Sequence, residues 1–258
     1  MIIPDCFDLN NSSQYVLVIK VAETGYGFGL YNPKTEDVFF EAVKQTGNEN
    51  AFTGFKNVFF DNDFFSLTYK DIYIINCTEE FTFVPSSIYS ESDKRKYFEF
   101  NFAEYQEVIL SQFLGPVTLL FTFPKEEYEF FVRSFINPRF IHHQSPLIVF
   151  FQDQKTVQAH KMIVSLEGKN KVDIVCYDRD SFVLGNHFSC QSKEDIIYFI
   201  LFIWKQLKFN QLEDLLYIIG VEEDDLLIGI LRDYLKNTVV EGKQLLPYGF
   251  NYLISCGL

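Results

Sequence analysis

Apolar residues occur in short blocks along this chain, and residues typical of turns separate one block from the next. Residues 15–23 and 26–32 predict two β-strands joined at Thr24-Gly25, because both are rich in apolar and β-branched or aromatic residues. Residues 37–43 predict a third strand after a second turn. Three strands joined by two tight turns predict an antiparallel meander.

Helices and strands alternate through the rest of the first half. Phe52, Phe55 and Phe59 recur at helical spacing, and the apolar run at 71–77 predicts a buried strand. The other predicted elements are strands at 79–85, 116–123 and 139–143, and helices at 90–100 and 125–135.

The same order begins again after Ser145-Pro146, which predicts an N-cap followed by proline in the first turn of a helix. The helix at 192–207 has Ser192 and Asp195 at capping-box spacing, and its apolar run covers every face. We therefore expect this helix to be buried on both sides. The remaining predictions are strands at 160–166, 171–178, 181–188 and 214–220, and a helix at 222–237.

Both halves thus follow one plan of a three-strand meander, a helix, a strand and a helix. A meander followed by strand–helix alternation predicts an α/β fold in which helices pack on a mixed sheet. We expect two similar lobes, an N-terminal lobe at 1–141 and a C-terminal lobe at 142–258.

Composition narrows the classes of partner. The chain has 30 Phe and 15 Tyr in 258 residues, and burial in the core is favoured over an aromatic binding surface. A net charge of −13 argues against binding to nucleic acid or to an anionic membrane surface. Five scattered cysteines without C-x-x-C spacing predict reduced thiols, a cytoplasmic protein and no metal site.

The duplicated plan resembles the actin-like ATPase fold, which is a duplicated ribonuclease-H-like architecture. The chain also resembles a bacterial protein family of unknown function that has this fold. Segments 75–89, 184–207 and 215–220 carry that closer resemblance, and together with the order of elements it covers most of the chain.

The resemblance implies where a nucleotide would bind, if one binds at all. ATP-hydrolysing members of the superfamily have an Asp at the end of the first strand, where this chain has Lys20 or Val21, and Glu23 is the nearest acid. The corresponding hairpin of the second lobe has Glu167-Gly168 at altered spacing. The cofactor positions implied by the resemblance are Glu23, Thr24, Gly25, Glu167, Gly168 and Gly220.

Three departures from the superfamily pattern argue against an ATPase. Loss of the first-strand carboxylate removes a group that positions Mg²⁺. The adenosine turn usually has paired glycines, but here Gly220 is followed by Val221, whose side chain occupies space that the adenine needs. The acidic run 222–225 then adds negative charge near a polyanion.

Other motifs are better explained by structure than by chemistry. The glycines of "GYGFG" at 25–29 recur at period 2 within a strand, which predicts close packing by a neighbouring element and not a phosphate loop. The acids at 222–225 fit the positive end of a helix dipole. His142 and His143 are adjacent on a predicted strand, so we expect their rings on opposite faces, where they cannot chelate together. No catalytic residue and no metal ligand is predicted.

The sequence favours a non-catalytic actin-like protein, a cytoplasmic scaffold or regulator without a cofactor, that binds an unidentified protein partner or associates with itself. The alternative is an ATPase or kinase-like enzyme with a diverged site in the cleft between the lobes, which would use Mg-ATP with Glu23 or Glu167 holding the metal. A sensor that binds a small molecule in that cleft without hydrolysis is the third hypothesis.

Overall fold

A computed structural model describes residues 4–22, 25–43, 50–102, 107–153, 160–167 and 171–241. The chain divides into two compact units, Met1–His143 and Gln144–Leu258. The two units are called the N-terminal unit and the C-terminal unit below. The predicted lobes 1–141 and 142–258 divide the chain in the same region.

The N-terminal unit follows the predicted order of elements and adds a strand that the sequence pattern does not reveal. Short 3₁₀ turns lie at Leu9–Gln14, Asp63–Ser66 and Glu91–Asp93. The strands are β1 (Val16–Ala22), β2 (Gly25–Tyr31), β3 (Val38–Val43), β4 (Asp71–Cys77), β5 (Phe81–Pro85), β6 (Val108–Leu114), β7 (Val117–Phe123) and β8 (Arg139–His142). The helices are α1 (Ala51–Phe60), α2 (Lys94–Glu99) and α3 (Lys125–Ser134).

Five of these strands form a mixed sheet in the order β3-β2-β1-β4-β8. The meander β1-β2-β3 is antiparallel, whereas β4 pairs with β1 and β8 pairs with β4 in parallel. Strands β5, β7 and β6 form a separate antiparallel sheet of three strands, inserted in the chain between β4 and α3. The predicted meander is therefore confirmed, while β6 and the second sheet were not predicted.

Aromatic rings dominate the core of the N-terminal unit. Helix α1 begins after Asn50, whose side chain accepts a hydrogen bond from the Phe52 backbone at 2.8 Å, and it buries Phe52 and Phe55. Helix α3 adds the buried ring of Phe131. The buried aromatic members of this core are Phe7, Tyr15, Tyr26, Phe28, Phe52, Phe55, Phe64, Phe65, Tyr69, Phe123, Phe131 and Phe135. For these residues the prediction of Phe as core filler is confirmed.

The C-terminal unit repeats the plan after a leading helix. Its helices are α4 (Ser145–Asp153), α5 (Lys193–Gln206) and α6 (Leu226–Tyr234). Its strands are β9 (His160–Glu167), β10 (Lys171–Asp178), β11 (Ser181–Ser189), β12 (Leu215–Ile219) and β13 (Asn237–Glu241). The helix predicted at 222–237 is too long at both ends, and β13 was not predicted.

The sheet of the C-terminal unit has the order β11-β10-β9-β12-β13. Strands β9, β10 and β11 form the antiparallel meander, and β12 pairs in parallel with both β9 and β13. Its main core is mostly aliphatic and includes Met162, Ile174, Ile200, Leu216 and Leu231. The two five-stranded sheets therefore have the same internal order.

Helix α5 has the predicted cap but not the predicted burial. The Ser192 side chain accepts from the Asp195 backbone, and the Asp195 side chain accepts from the Ser192 backbone, so the capping box is confirmed. One face packs into the core through Ile196, Ile200 and Ile203. On another face Tyr198 is 59% exposed and Phe202 is 45% exposed, so the expectation of burial on both sides is wrong.

Candidate functional site

The superfamily has an aspartate at the end of the first strand. No described residue of the first hairpin places a carboxylate at that position. Lys20 lies on β1 between Gly27 of β2 and Ile75 of β4, and Val21 is buried in the aromatic core. Glu23 and Thr24 lie outside the described residues. Gly25 begins β2 with a φ of 143°, a conformation that L-residues rarely adopt. The described part of this hairpin thus offers a lysine and a valine instead of a metal ligand.

The glycines of β2 allow a neighbouring strand to approach closely. A Cβ at Gly27 would overlap the Phe40 ring, and a Cβ at Gly29 would overlap the backbone oxygen of Phe39. Both phenylalanines belong to β3, which pairs with β2. The prediction that these glycines serve packing is therefore confirmed for Gly27 and Gly29.

In the C-terminal unit, Glu167 is the last residue of β9, and its backbone lies opposite that of Lys171 in the β9–β10 hairpin. Gly168 lies outside the described residues. Gly220 follows β12 with a φ of 94°, and Val221 next to it is only 9% exposed. Val221 belongs to the core of this unit, so its side chain packs inward directly after the turn glycine.

The acidic run 222–225 precedes α6 and does not form its first turn, which corrects the predicted start of that helix. Asp225 is the N-cap, and its Oδ1 accepts from the Leu227 backbone at 2.9 Å and from Lys193 Nζ at 2.7 Å. Glu223 pairs with Arg232 at 2.5 Å. The ion pair with Arg232 thus explains an acidic residue at Glu223, and helix capping together with the contact to Lys193 explains one at Asp225.

Buried polar side chains collect at the carboxyl ends of the parallel strands β4 and β8, where α/β proteins commonly bind ligands. Asn76 Nδ2 donates to the Thr122 carbonyl at 2.6 Å, and His142 Nε2 lies 3.0 Å from the Thr78 carbonyl. The rings of His142 and His143 lie 4.2 Å apart between centroids, so the expectation of opposite faces is wrong. Because β8 ends at His142, strand alternation no longer separates the two rings.

A second buried polar group lies in the C-terminal unit and was missed by sequence reasoning. Asp173 on β10 is 2% exposed, and its Oδ1 accepts from Gln144 Nε2 at 2.6 Å and lies 2.9 Å from His187 Nδ1. Gln144 also donates to the Asn186 carbonyl at 3.2 Å. One signal was available, because Asp173 interrupts the apolar run of β10.

A carboxyl group also lies against the first hairpin. Tyr26 of β2 lies beside Glu127 in the first turn of α3, and burial raises the pKa of both side chains. The Tyr26 ring stacks on Phe55 at 4.7 Å between centroids. Desolvation therefore disfavours the charged form of Glu127 beside an aromatic core.

Two of the described cysteines are buried. Cys176 and Cys190 form no disulfide. Burial raises the pKa of Cys176 and Cys190, and the nearby Asp195 raises the pKa of Cys190 further. A thiol with a raised pKa is a poor nucleophile at neutral pH. These two cysteines therefore fit a role in packing.

Comparison with known proteins places this chain in a family. The family model described as "Protein of unknown function (DUF3822)" matches residues 4–238. The chain belongs to the DUF3822 family. The resemblance to a family of unknown function is thereby confirmed. Among curated proteins, none matches this chain.

Solved structures identify the fold of this DUF3822 protein. A protein from Bacteroides thetaiotaomicron, described as having an actin-like ATPase fold and unknown function, is 28% identical with a TM-score of 0.85, over 97% of this chain and 99% of that one. The cytoplasmic domain of EpsL, an inner membrane component of the type II secretion system of Vibrio cholerae, is 7% identical with a TM-score of 0.52, over 93% of both chains. The predicted actin-like ATPase fold is confirmed.

Within the described residues of this DUF3822 protein, no helix combines the length and the apolar character needed to cross a membrane.

Proposed function

We propose that this chain is a non-catalytic actin-like protein that acts as a cytoplasmic scaffold or regulator by binding a partner protein, without a nucleotide. The observation that carries the proposal is the burial of Val221 directly after Gly220. In the superfamily pattern, the turn at this position has paired glycines that let the backbone approach adenosine. A buried valine there gives packing to the C-terminal core instead.

The first hairpin supports the same proposal. A Mg²⁺ ion on a nucleotide needs oxygen ligands, and the described end of β1 offers Lys20 and the buried Val21. The side chain of Glu127 beside Tyr26 is a carboxyl group at this hairpin. Desolvation raises its pKa and disfavours the anionic form that would bind a metal.

A binding role also has support from the surface of the C-terminal unit. Tyr198 and Phe202 are exposed aromatic residues on α5 and stack on each other at 5.7 Å between ring centroids. Tyrosine and phenylalanine are enriched in protein interfaces, because a rigid ring gives contact area at low cost in conformational entropy.

Thermal unfolding of the full chain with and without millimolar Mg-ATP, Mg-ADP and Mg-GTP tests the absence of nucleotide binding. A ligand at about 100-fold over its Kd adds ~2.7 kcal/mol of stability, which is several degrees in Tm for a chain of this size. We expect no shift, while an active actin-like ATPase measured alongside shifts upward.

A clear rise in Tm with any of the three nucleotides would overturn the proposal. In that event Glu23→Gln and Glu167→Gln would identify the carboxylate that holds the metal. Self-association, the other form of partner binding, is measured by sedimentation of the chain alone at rising concentration.

A further inference from the structure

The C-terminal unit contains a cavity of about 510 Å³ at the carboxyl end of α5. Its apolar lining consists of Leu201, Trp204 and Phe209, together with the half-exposed ring of Tyr234 at the end of α6. This volume lies within the range of sites that hold small ligands or the anchoring side chains of peptides. The cavity is formed by elements of one unit.

The apolar walls of this cavity are held in place from behind. The rings of Trp204 and Phe209 meet edge to face at 5.4 Å, and His160 stacks on Phe209 at 4.7 Å. His160 Nδ1 is in turn 2.8 Å from the buried carboxylate of Asp214. A wall fixed by these contacts loses little conformational entropy when the cavity is filled.

Trp204 also has an unused hydrogen-bond donor. The side chain is 2% exposed, and its indole Nε1 is buried and donates to no acceptor among the described residues. Most buried polar atoms in proteins have a partner. Because solvent does not reach this atom, the donor belongs to the wall behind the cavity and is not a contact that an occupant would make.

Two lysines line the mouth of the cavity, in a chain whose net charge is −13. Lys205 and Lys208 are exposed, and neither forms an ion pair with a carboxylate of the described residues. By contrast, Lys193 pairs with Asp225 and Arg232 pairs with Glu223 in the same unit. The Lys208 backbone N–H donates to the Lys205 carbonyl at 3.1 Å, so both lysines lie at the carboxyl end of α5.

An exposed apolar stripe leads along α5 to this cavity. The α5 stripe consists of the exposed rings of Tyr198 and Phe202 and the partly buried Leu201, and Lys205 continues the same face of the helix at its carboxyl end. With Lys205 included, this face extends ~10 Å along the helix axis. Leu201 belongs both to the stripe and to the cavity wall, so the two surfaces are continuous.

We infer that the α5 stripe and the cavity together dock a peptide segment of a partner protein in which apolar side chains are followed by acidic residues. This inference rests on the proposed binding function. The cavity takes an apolar side chain, the stripe takes a second, and the carboxylates lie on Lys205 and Lys208. The stripe extends the surface beyond the cavity, which favours a peptide over a small molecule.

Trp204 is the single tryptophan of the chain, so its fluorescence reports the cavity directly. The probe is a pooled peptide library with Phe at two positions four residues apart, followed by two Glu, and with no Trp or Tyr. One matched library has Lys in place of Glu, and another has Ser in place of Phe. N-acetylphenylalanine serves as a small anion with the same ring.

We expect the Phe–Glu library to change Trp204 emission saturably, with an affinity about tenfold lower for the Lys205→Glu, Lys208→Glu double variant. The Lys70→Glu, Lys125→Glu double variant makes the same change in charge at exposed lysines of the other unit and should bind normally. Phe202→Ser should weaken binding, whereas Phe60→Ser, at a 72% exposed position of α1, should not.

Four results would overturn the inference. They are no response of Trp204 to the Phe–Glu library, an equal response to the Lys library, equal affinity for N-acetylphenylalanine, or a Trp204 signal that depends on protein concentration without peptide. The third result would mean a small-molecule site, and the fourth a contact between copies of the chain. None of these measurements uses a nucleotide. They can therefore refute peptide docking separately from the nucleotide experiment that tests the proposed function.

Discussion

The two units build the same sheet with different kinds of core. Their strand orders, β3-β2-β1-β4-β8 and β11-β10-β9-β12-β13, are equivalent position by position. Rings make up most of the buried members of the N-terminal core, whereas Trp204 and Phe209 are the only aromatic buried members described for the main C-terminal core. The order of apolar blocks along the chain therefore sets the topology, and the type of apolar residue sets how each core is filled.

The units also differ in the connection between the fourth strand and the next long helix. In the C-terminal unit a short turn that begins at Gly220 connects β12 to α6, whereas in the N-terminal unit the region Phe81–Phe123 connects β4 to α3. That region forms the three-stranded sheet and buries its own small cluster of Val84, Phe98 and Leu120. An insertion with its own cluster leaves the strand order of the parent sheet unchanged.

The largest expected effect tests whether ring contacts hold the N-terminal core. Phe55 is fully buried, with ring centroids of Tyr26, Phe59, Phe65, Phe130 and Phe131 within 6.4 Å. Phe55→Ala should lower the free energy of unfolding by about 3–5 kcal/mol, because it removes a ring and leaves a cavity. Denaturant unfolding followed by circular dichroism measures the loss.

Three further variants turn this measurement into a comparison of the units. Phe113→Ala makes the same truncation at a residue that is 71% exposed and should change stability by less than about 0.5 kcal/mol. Ile200→Leu in the C-terminal core should cost less than ~1.5 kcal/mol, since it conserves volume. Phe55→Leu should cost more than Ile200→Leu, and equal costs would contradict a special role for the rings.

The sequence predicted most elements of the fold because their burial pattern is simple. Strands such as β1 and β10 are buried along nearly their whole length, and the capping box of α5 is a local signal. Strand β6 was missed because it lies at an edge of the small sheet and is mostly exposed or half-buried. Strand β13 was missed, and the predicted helix extended to Asn237, beyond the end of α6 at Tyr234.

The candidate site was harder to predict, because it depends on contacts between distant positions. The sequence showed Val221 in place of a second glycine, but not that Asp173, Gln144 and His187 meet. It also could not show which face of α5 stays exposed, because every face of that helix is apolar. Burial of one face is decided by the sheet beneath, and that is a tertiary property.

A smaller effect on stability is expected at Gly29, where β3 approaches β2 closely in the meander of the N-terminal unit. Gly29→Ala should lower the free energy of unfolding by about 1–3 kcal/mol, because the new methyl would overlap the Phe39 backbone oxygen and the β3 strand would have to shift. Gly27→Ala should cost less, since the Phe40 ring it meets is a side chain and can turn away.

Matched glycines on helices of both units provide the controls for this measurement. Gly54 on α1 and Gly229 on α6 have open space where a Cβ would lie. Gly54→Ala and Gly229→Ala should therefore each raise stability by up to about 1 kcal/mol through helix propensity. A neutral Gly29→Ala would show that β3 is not packed closely against β2.

The smallest expected effect concerns Glu127, the half-buried acid beside Tyr26 in the N-terminal unit. Burial raises the pKa of Glu127 in the folded state above its ordinary value of 4.5, so the folded protein binds the proton more tightly than the unfolded chain does. The stability that this group contributes is complete below pH 4.5 and is lost as the pH rises through the folded pKa. Glu127→Gln should remove that dependence and raise the free energy of unfolding at pH 7 by roughly 1 kcal/mol.

Urea unfolding of both proteins from about pH 4 to about pH 8 measures this difference. Glu213→Gln, at an exposed position of the C-terminal unit, is the control and should leave the pH dependence of the parent chain intact. A gap between parent and Glu127→Gln that widens with rising pH supports a desolvated carboxylate at the first hairpin. A constant gap would mean that folding does not shift the pKa of Glu127, which would contradict the expected desolvation. A gap that narrows as the pH rises would mean that Glu127 is stabilised as an anion, and the hairpin would then have a carboxylate able to hold a cation.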